Sequence, residues 1–167
     1  AEVANKLERY FTDTLEHIVK KYHIDLAKSS PFYIKCGRFR DLPRLFNELG
    51  FKLGVEVGAY EGAYAKRLCE KMPQLKLYSI DSWVSYPGYK DFKGNQISAA
   101  EKKAKENVKG LNCELIKGWS KDIVKQFEDN SLDFVFIDGN HAYEYVVEDI
   151  ALWSKKVRKG GIVSGHD

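Results

Sequence analysis

Leu53-Gly54-Val55-Glu56-Val57-Gly58-Ala59-Tyr60-Glu61-Gly62-Ala63-Tyr64 is the stretch on which the reading of the fold turns. A short apolar run carries an acid, Glu56, and breaks into two spaced glycines, Gly58 and Gly62. Beyond Gly62 the apolar residues Tyr64, Leu68 and Met72 recur at helical spacing. The pattern predicts strand, tight turn, helix. At such a turn glycine lets the backbone approach a ligand closely, and the helix start offers unpaired N–H groups. A nucleotide-like cofactor fits this arrangement. A turn whose glycines serve geometry alone fits it equally, because two glycines are weak by themselves.

Downstream, Leu75 to Asp81 alternates and ends on an acid, which predicts a second strand. In nucleotide-binding α/β units an acid at this place accepts hydrogen bonds from ribose hydroxyls, and Asp81 follows the glycine turn by about 20 residues, as that role requires. The loop from Ser82 to Asn95 carries Trp83, Tyr86, Tyr89 and Phe92, whose rings either stack on a cofactor, wall a substrate pocket or cover surface. Ser98-Ala99-Ala100-Glu101 has the form of a capping box and places a helix start there. Cys113 to Lys117 reads as a third strand. Gly118-Trp119-Ser120 then turns into a short helix, which Ser120 either caps or leaves to face a ligand.

Leu132 to Asp138 is almost wholly apolar, as a strand buried on both faces should be. Gly139-Asn140-His141 follows, then a helix with Tyr143, Val146, Val147, Ile150, Ala151 and Ser154 on one side. Lys159-Gly160-Gly161 is expected to turn the chain into a fifth strand from Ile162, which ends at Gly165-His166-Asp167.

Upstream, Glu2 to Tyr22 has the apolar stripe of an amphipathic helix: Val3, Leu7, Tyr10, Phe11, Leu15 and Ile18. That helix is expected to cover the sheet, help close the site or pair with a second subunit in a homodimer. Asp41 is placed as a helix cap with Pro43 in the first turn, and Gly50 as the stop.

The 167 residues suffice for one domain with a real core, and 44% hydrophobic with 31% charged residues are the proportions of a soluble globular chain. No apolar run approaches the roughly 20 residues that span a bilayer, and no signal-peptide pattern opens the chain. A cytoplasmic protein without membrane contact is expected. The net charge of +3 is too small to argue for nucleic acid, and the lysines from Lys102 to Lys109 read as one solvated helix face. Cys36, Cys69 and Cys113 lack metal-type spacing and are expected to be reduced and buried.

Strands alternating with helices predict an α/β fold: a doubly wound, mostly parallel, Rossmann-like sheet with helices on both faces. Ligands of such sheets collect outside the carboxyl ends of the strands. Those ends carry Glu56, Gly58, Asp81, Gly118, Asp138, His141, His166 and Asp167.

Taken together, Gly58-Ala59-Tyr60-Glu61-Gly62, Asp81, Gly118-Trp119-Ser120 and Ile137-Asp138 resemble class I S-adenosylmethionine-dependent methyltransferases, with catechol O-methyltransferases as well-known relatives. Ile137-Asp138-Gly139-Asn140-His141-Ala142-Tyr143, with Asp149, Trp153, Gly160-Gly161 and His166-Asp167, is similar more narrowly to a broad bacterial family of methyltransferases. The resemblance divides the chain into an N-terminal helical extension, 1–50, and an S-adenosylmethionine-binding α/β domain, 51–167. Family enzymes commonly continue past this point with further strands, so the domain either ends at Asp167 with an unfinished sheet edge or is truncated there.

The resemblance implies a role for each matching position. Glu56, Gly58, Tyr60 and Gly62 surround the methionine part of S-adenosyl-L-methionine, Asp81 binds its ribose, and Trp83, Gly118, Trp119 and Ser120 lie along the cofactor with the last two by its adenine. Asp138, His166 and Asp167 match metal ligands, and His141 stands where the catechol-type enzymes carry their catalytic lysine. Tyr64 departs from a small hydroxyl residue of that motif. His166 departs from a carboxylate, and histidine suits softer ions than Mg²⁺, so Mg²⁺, Mn²⁺, Zn²⁺ and no metal all stay open.

The implied reaction is O-methylation of a small molecule. His141 would take the acceptor's proton, and an ion at Asp138 would lower that hydroxyl's pKa. Two rival readings stand beside it. An NAD-dependent oxidoreductase wants G-x-G-x-x-G, which Ala59-Tyr60 interrupt. A catalytically idle binding or assembly module could use the same fold as a scaffold.

Overall fold

The computed structural model describes residues 13–86 and 94–166. Five strands form one parallel sheet: β1 (Leu53–Val57), β2 (Lys76–Asp81), β3 (Cys113–Lys117), β4 (Leu132–Ile137) and β5 (Val157–Gly165), in the spatial order β3-β2-β1-β4-β5. The helices are α1 (Asp13–Tyr22), α2 (Asp41–Glu48), α3 (Ala63–Lys71), α4 (Gly94–Asn107), α5 (Ser120–Ile123) and α6 (Tyr143–Trp153). The doubly wound parallel sheet predicted from the alternation is the observed one.

Period-two alternation divides the core between the two faces. On one face Phe134 and Phe136 of β4 meet Phe46 of α2 and Tyr64 and Leu68 of α3. Phe46 stacks on Phe134 with ring centroids 4.2 Å apart. On the other face Val55, Val57, Val135 and Ile137 meet Ile123 of α5 and Trp153 of α6. Fully burying side chains of this size contributes about 1.5–3 kcal/mol each, so the two clusters account for the sheet being covered on both sides.

The chain runs outward from β1 through β2 to β3, then crosses to β4 and β5 on the far side. The direction of winding reverses between β1 and β4, so the loops leaving these strands part and open a crevice. The two glycines of the opening motif have separate jobs. Gly58 has φ +96°, and a Cβ there would lie 2.0 Å from the Asp138 carbonyl oxygen. Gly62 has φ +72°, and its Cβ would lie 3.0 Å from Cα of Ala104 on α4. In both places backbone meets backbone, so the protein's own packing accounts for both glycines.

Four local expectations need correction. Residues Gly94 to Ser98 are already helical, so Ser98 lies inside α4 and donates to the Gly94 carbonyl, while Glu101 pairs with Lys105 and Lys117 instead of capping. The cap position of α2 is Arg40, and the Asp41 carboxylate accepts from Arg40 and from the Gly37 amide. Lys159-Gly160-Gly161 is no turn. It runs inside β5, where the register against β4 shifts between Leu132 and Phe134. The apolar side of α6 is outward, with Tyr143, Val147 and Ile150 exposed, whereas Asp149 and Trp153 are buried.

Gly50, at φ +70°, ends α2 as expected. Helix α1 lies against β5, where Thr14 Oγ1 donates to the Gly160 carbonyl (2.6 Å), and Lys21 ties it to Glu48 of α2 (2.5 Å). The part of the leading helix stripe from Val3 to Phe11 lies outside the described residues, as do Tyr89 and Phe92 of the aromatic loop. All three cysteines are free. Cys69 is buried, and Cys36 and Cys113 are half-buried. Among the described residues no helix is long and apolar enough to cross a membrane.

Candidate active site

The carboxyl ends of the strands line one cavity of about 1040 Å³. That exceeds the approximately 300–1,000 Å³ typical of a site for one drug-sized ligand. Of the residues singled out in the sequence, Gly58, Tyr60, Asp81, Trp83, Gly118, Trp119, Ser120, Asp138, His141 and His166 all border it. Glu56 and Gly62 do not border it, and both are buried. Asp167 lies outside the described residues.

On the β1–β2 side, Asp81 organises the wall. Its Oδ2 accepts from the Tyr60 amide (2.9 Å) and its Oδ1 from the Trp83 amide (2.8 Å). The Trp83 indole N–H donates to the Tyr60 carbonyl (2.9 Å), closing a ring of contacts between the two loops. Tyr60 (φ +45°) and Trp83 (φ +43°) both adopt the left-handed region, which costs a non-glycine residue about 1–3 kcal/mol and is characteristic of functional loops. Burial raises the Asp81 carboxyl above the ordinary range, opposed by the amides that donate to it. Trp83 is 7% exposed and packs on Ala59, Ile97, Ala100 and Ala104, so much of its ring belongs to the core.

Glu56 is buried on β1, beside Ser79 of β2, whose hydroxyl it engages. Burial pushes its carboxyl up to about 8; the charges of Asp138 and Asp81 add to the rise, and the Ser79 hydrogen bond opposes it. Tyr64, the departure from the catechol-type motif, is 6% exposed, and its hydroxyl has no hydrogen-bond partner among the described residues.

Across the cavity, Ser120 borders the site but does not cap its helix, whose cap position is Trp119. Its hydroxyl donates to Asp149 Oδ1 (2.5 Å) and accepts from the Trp153 indole N–H (2.7 Å). It thereby partners the buried Asp149, whose carboxyl is raised by burial. Trp119 is 40% exposed and meets Tyr86 edge-on at 5.0 Å, and Tyr86 in turn approaches Tyr145 at 6.2 Å. Asn140 holds this aromatic rim by donating to the Tyr86 hydroxyl (2.5 Å).

At the β4–β5 end, Asp138, His141 and His166 bring three candidate ligand atoms within 4.8 Å of one another. His141 Nε2 is 3.3 Å and His166 Nδ1 3.5 Å from the same oxygen, Asp138 Oδ1. The other oxygen, Oδ2, accepts from Arg38 Nη1 at 2.6 Å. His141, expected as the base beside an ion at Asp138, lies in the metal-type cluster itself, with Asp138 and His166 as its partners. Sequence reasoning missed Arg38 altogether. It lies in the irregular segment between α1 and α2, and it reaches Asp138 across 100 positions of sequence. Asn140 and Asp149 were visible only as parts of the family motif, and nothing in the sequence marked Tyr145 as a rim residue.

A parallel sheet in this order, with an acid ending β2 and a glycine turn after β1, is the arrangement of Rossmann-like folds that bind nucleotide-type cofactors. Residues 55–167 match the family model described as "Methyltransferase domain", and the chain belongs to that family. This membership sets aside the oxidoreductase reading. The chain is 30% identical over 117 residues to the uncharacterized protein R132 of Acanthamoeba polyphaga mimivirus, a match that covers 68% of this chain and spans about half, 50%, of that protein. Among solved structures, the O-methyltransferase TomG of Streptomyces achromogenes aligns with TM-score 0.58 at 18% identity, covering 92% of this chain and 64% of that one. The methyltransferase PaMTH1 of Podospora anserina aligns with TM-score 0.56 at 16% identity, covering 97% and 68%. At these identities the two structures speak to the fold.

Proposed function

We propose that this chain binds S-adenosyl-L-methionine and transfers its methyl group to an oxygen of a small-molecule acceptor, assisted by a divalent ion at Asp138, His141 and His166. The observation that carries the reading is the convergence of Asp81, the aromatic rim and the Asp138 cluster on one cavity at the topological switch.

The residues present suit both groups. Asp81 is a carboxylate held by backbone amides, and a carboxylate has about four lone-pair sites, enough to accept from ribose hydroxyls as well. Tyr60 and Gly58 border the place for the amino-acid end, and Trp119 and Tyr86 offer faces to a base. One carboxylate oxygen with two imidazole nitrogens suits Mn²⁺ or Zn²⁺ better than Mg²⁺, which prefers oxygen ligands. When bound, the two groups supply a methyl carried on a sulfonium and a Lewis acid that lowers a hydroxyl's pKa. The protein's own contribution is positioning: the rim and the Asp81 wall fix one partner, the Asp138 cluster orients the acceptor oxygen, and the buried wall limits water.

A second reading is favoured by the 3.3 Å approach of His141 Nε2 to Asp138. Without a metal, Asp138 orients His141 as the base that takes the acceptor's proton. Activity that survives exhaustive chelation selects this reading, and activity restored by Mn²⁺ or Zn²⁺ selects the first.

Isothermal titration with S-adenosylhomocysteine tests the proposal as a whole. Wild type should bind, and Asp81→Ala should bind at least about tenfold more weakly, given charge-assisted bonds to a buried carboxylate. Equal binding by Asp81→Ala would refute the site map. No binding by wild type would select the idle scaffold.

A further inference from the structure

The charges around the cavity are unevenly placed. Asp81, Asp122, Glu148 and Asp149, with Lys121 as the one cation among the described residues there, line the side formed by the ends of β2 and β3 and by α5 and α6. Among the described residues, the β4–β5 end holds Arg38, His141 and His166 around the carboxylate of Asp138. A cation such as a sulfonium matches the first side. At the second, Arg38 can offer its remaining N–H donors to a group of the opposite sign.

Arg38 is built into that end. Its guanidinium lies 4.9 Å from the Phe39 ring centroid, Phe39 meets Tyr64 edge-on at 5.4 Å, and Tyr64 packs on Phe136 of the core at 4.4 Å. The side chain is 32% exposed and borders the cavity. One of its nitrogens, Nη1, is engaged by Asp138. A guanidinium presents five N–H donors in a planar fork, so a further edge is available for a planar anion. Two such features, a fork held on its face by an aromatic ring and a neighbouring acid that takes only one donor, are what bidentate carboxylate recognition uses.

We propose that Arg38 is a specificity-determining residue and that the acceptor carries an acidic group, a carboxylate, next to the hydroxyl that is methylated. This rests on the methyl-transfer reading of the same site. The hydroxyl is oriented at Asp138 and its neighbouring histidines, and the carboxylate lies on the free edge of Arg38. Any divalent ion at the cluster adds positive charge and strengthens the preference for an acid. Reaction at the hydroxyl forms one carbon–oxygen bond, breaks one carbon–sulfur bond and releases one proton. The carboxylate itself is unchanged.

The probes are salicylate and its neutral counterpart saligenin, which replaces the carboxylate by a hydroxymethyl group. Each is titrated into S-adenosylhomocysteine-loaded protein. Wild type should bind salicylate about 10- to 100-fold more tightly than saligenin, the range of one or two charge-assisted hydrogen bonds. Arg38→Met should lose that preference while its affinity for saligenin stays within about threefold, and Arg38→Lys should recover part of it. Equal weakening of both probes in Arg38→Met would mean a merely structural role and overturn the inference. So would a wild type that binds the two alike, or binds neither. Failure to load S-adenosylhomocysteine at all would refute the underlying methyl-transfer reading, and is read separately from the probe titrations.

Discussion

Replacing Glu56 by glutamine tests what its burial on β1 costs. Glu56 is 2% exposed, and burial moves its carboxyl from 4.5 to about 8 in the folded protein. Between these values the folded chain retains a proton that the unfolded chain has released. Stability therefore falls as pH rises through this window, by about 1.4 kcal/mol per pH unit, and the full contribution is present only below the unfolded value. The whole displacement amounts to roughly 5 kcal/mol, a large part of a typical domain stability of about 5–15 kcal/mol.

Glutamine is close in shape to the protonated acid and keeps an acceptor for the Ser79 hydroxyl, but it does not ionise. The groups that face Glu56 electrostatically are Asp138, Asp81 and Cys69, all of which disfavour its charge. Urea unfolding of wild type and Glu56→Gln at pH values from about 5.5 to 7.5 should show the variant gaining about 3 kcal/mol over wild type across that interval. Comparing the two proteins at each pH cancels the titrating groups that do not interact with Glu56. A difference that stays constant with pH would refute the reasoning, since it would mean that Glu56 titrates alike in the folded and unfolded chain.

Two further substitutions probe the same neighbourhood. Gly58→Ala places a Cβ 2.0 Å from the Asp138 carbonyl at φ +96°, and should lower unfolding free energy by about 3 kcal/mol or more, measured by urea denaturation. A fully stable Gly58→Ala would mean that the ends of β1 and β4 part easily. Tyr64→Phe removes a buried hydroxyl that has no partner among the described residues and should raise stability by about 1 kcal/mol, seen as an increase in Tm. A loss of stability instead would reveal a hydrogen bond to that hydroxyl.

Much of the site was legible because its chemistry falls at strand ends, and strand ends are marked by where an apolar run stops. Asp81 and Asp138 each follow such a run, and the spacing from the glycine turn to Asp81 is set by the length of one helix and one strand. Helix starts were less legible. Ser98 has the residues of a capping box, yet α4 is already formed at Gly94, because local capping chemistry is worth only about 1 kcal/mol and apolar packing through Ile97 and Ala100 outweighs it. The glycines at 160 and 161 looked like a turn for the same reason: glycine permits a bend, but ladder pairing with β4 decides whether one forms.

By itself the sequence determined the parallel α/β architecture and the set of polar groups at one rim, since hydrophobic period and residue order dictate which faces are buried and where each strand ends. Only the tertiary structure decided how those groups are shared out. It turned Ser120 toward Asp149, buried Glu56 away from the cavity lining and brought Arg38 to Asp138. The reason is physical: a hydrogen bond or ion pair depends on a few ångströms and an angle between residues far apart in the chain, and no periodicity records that distance.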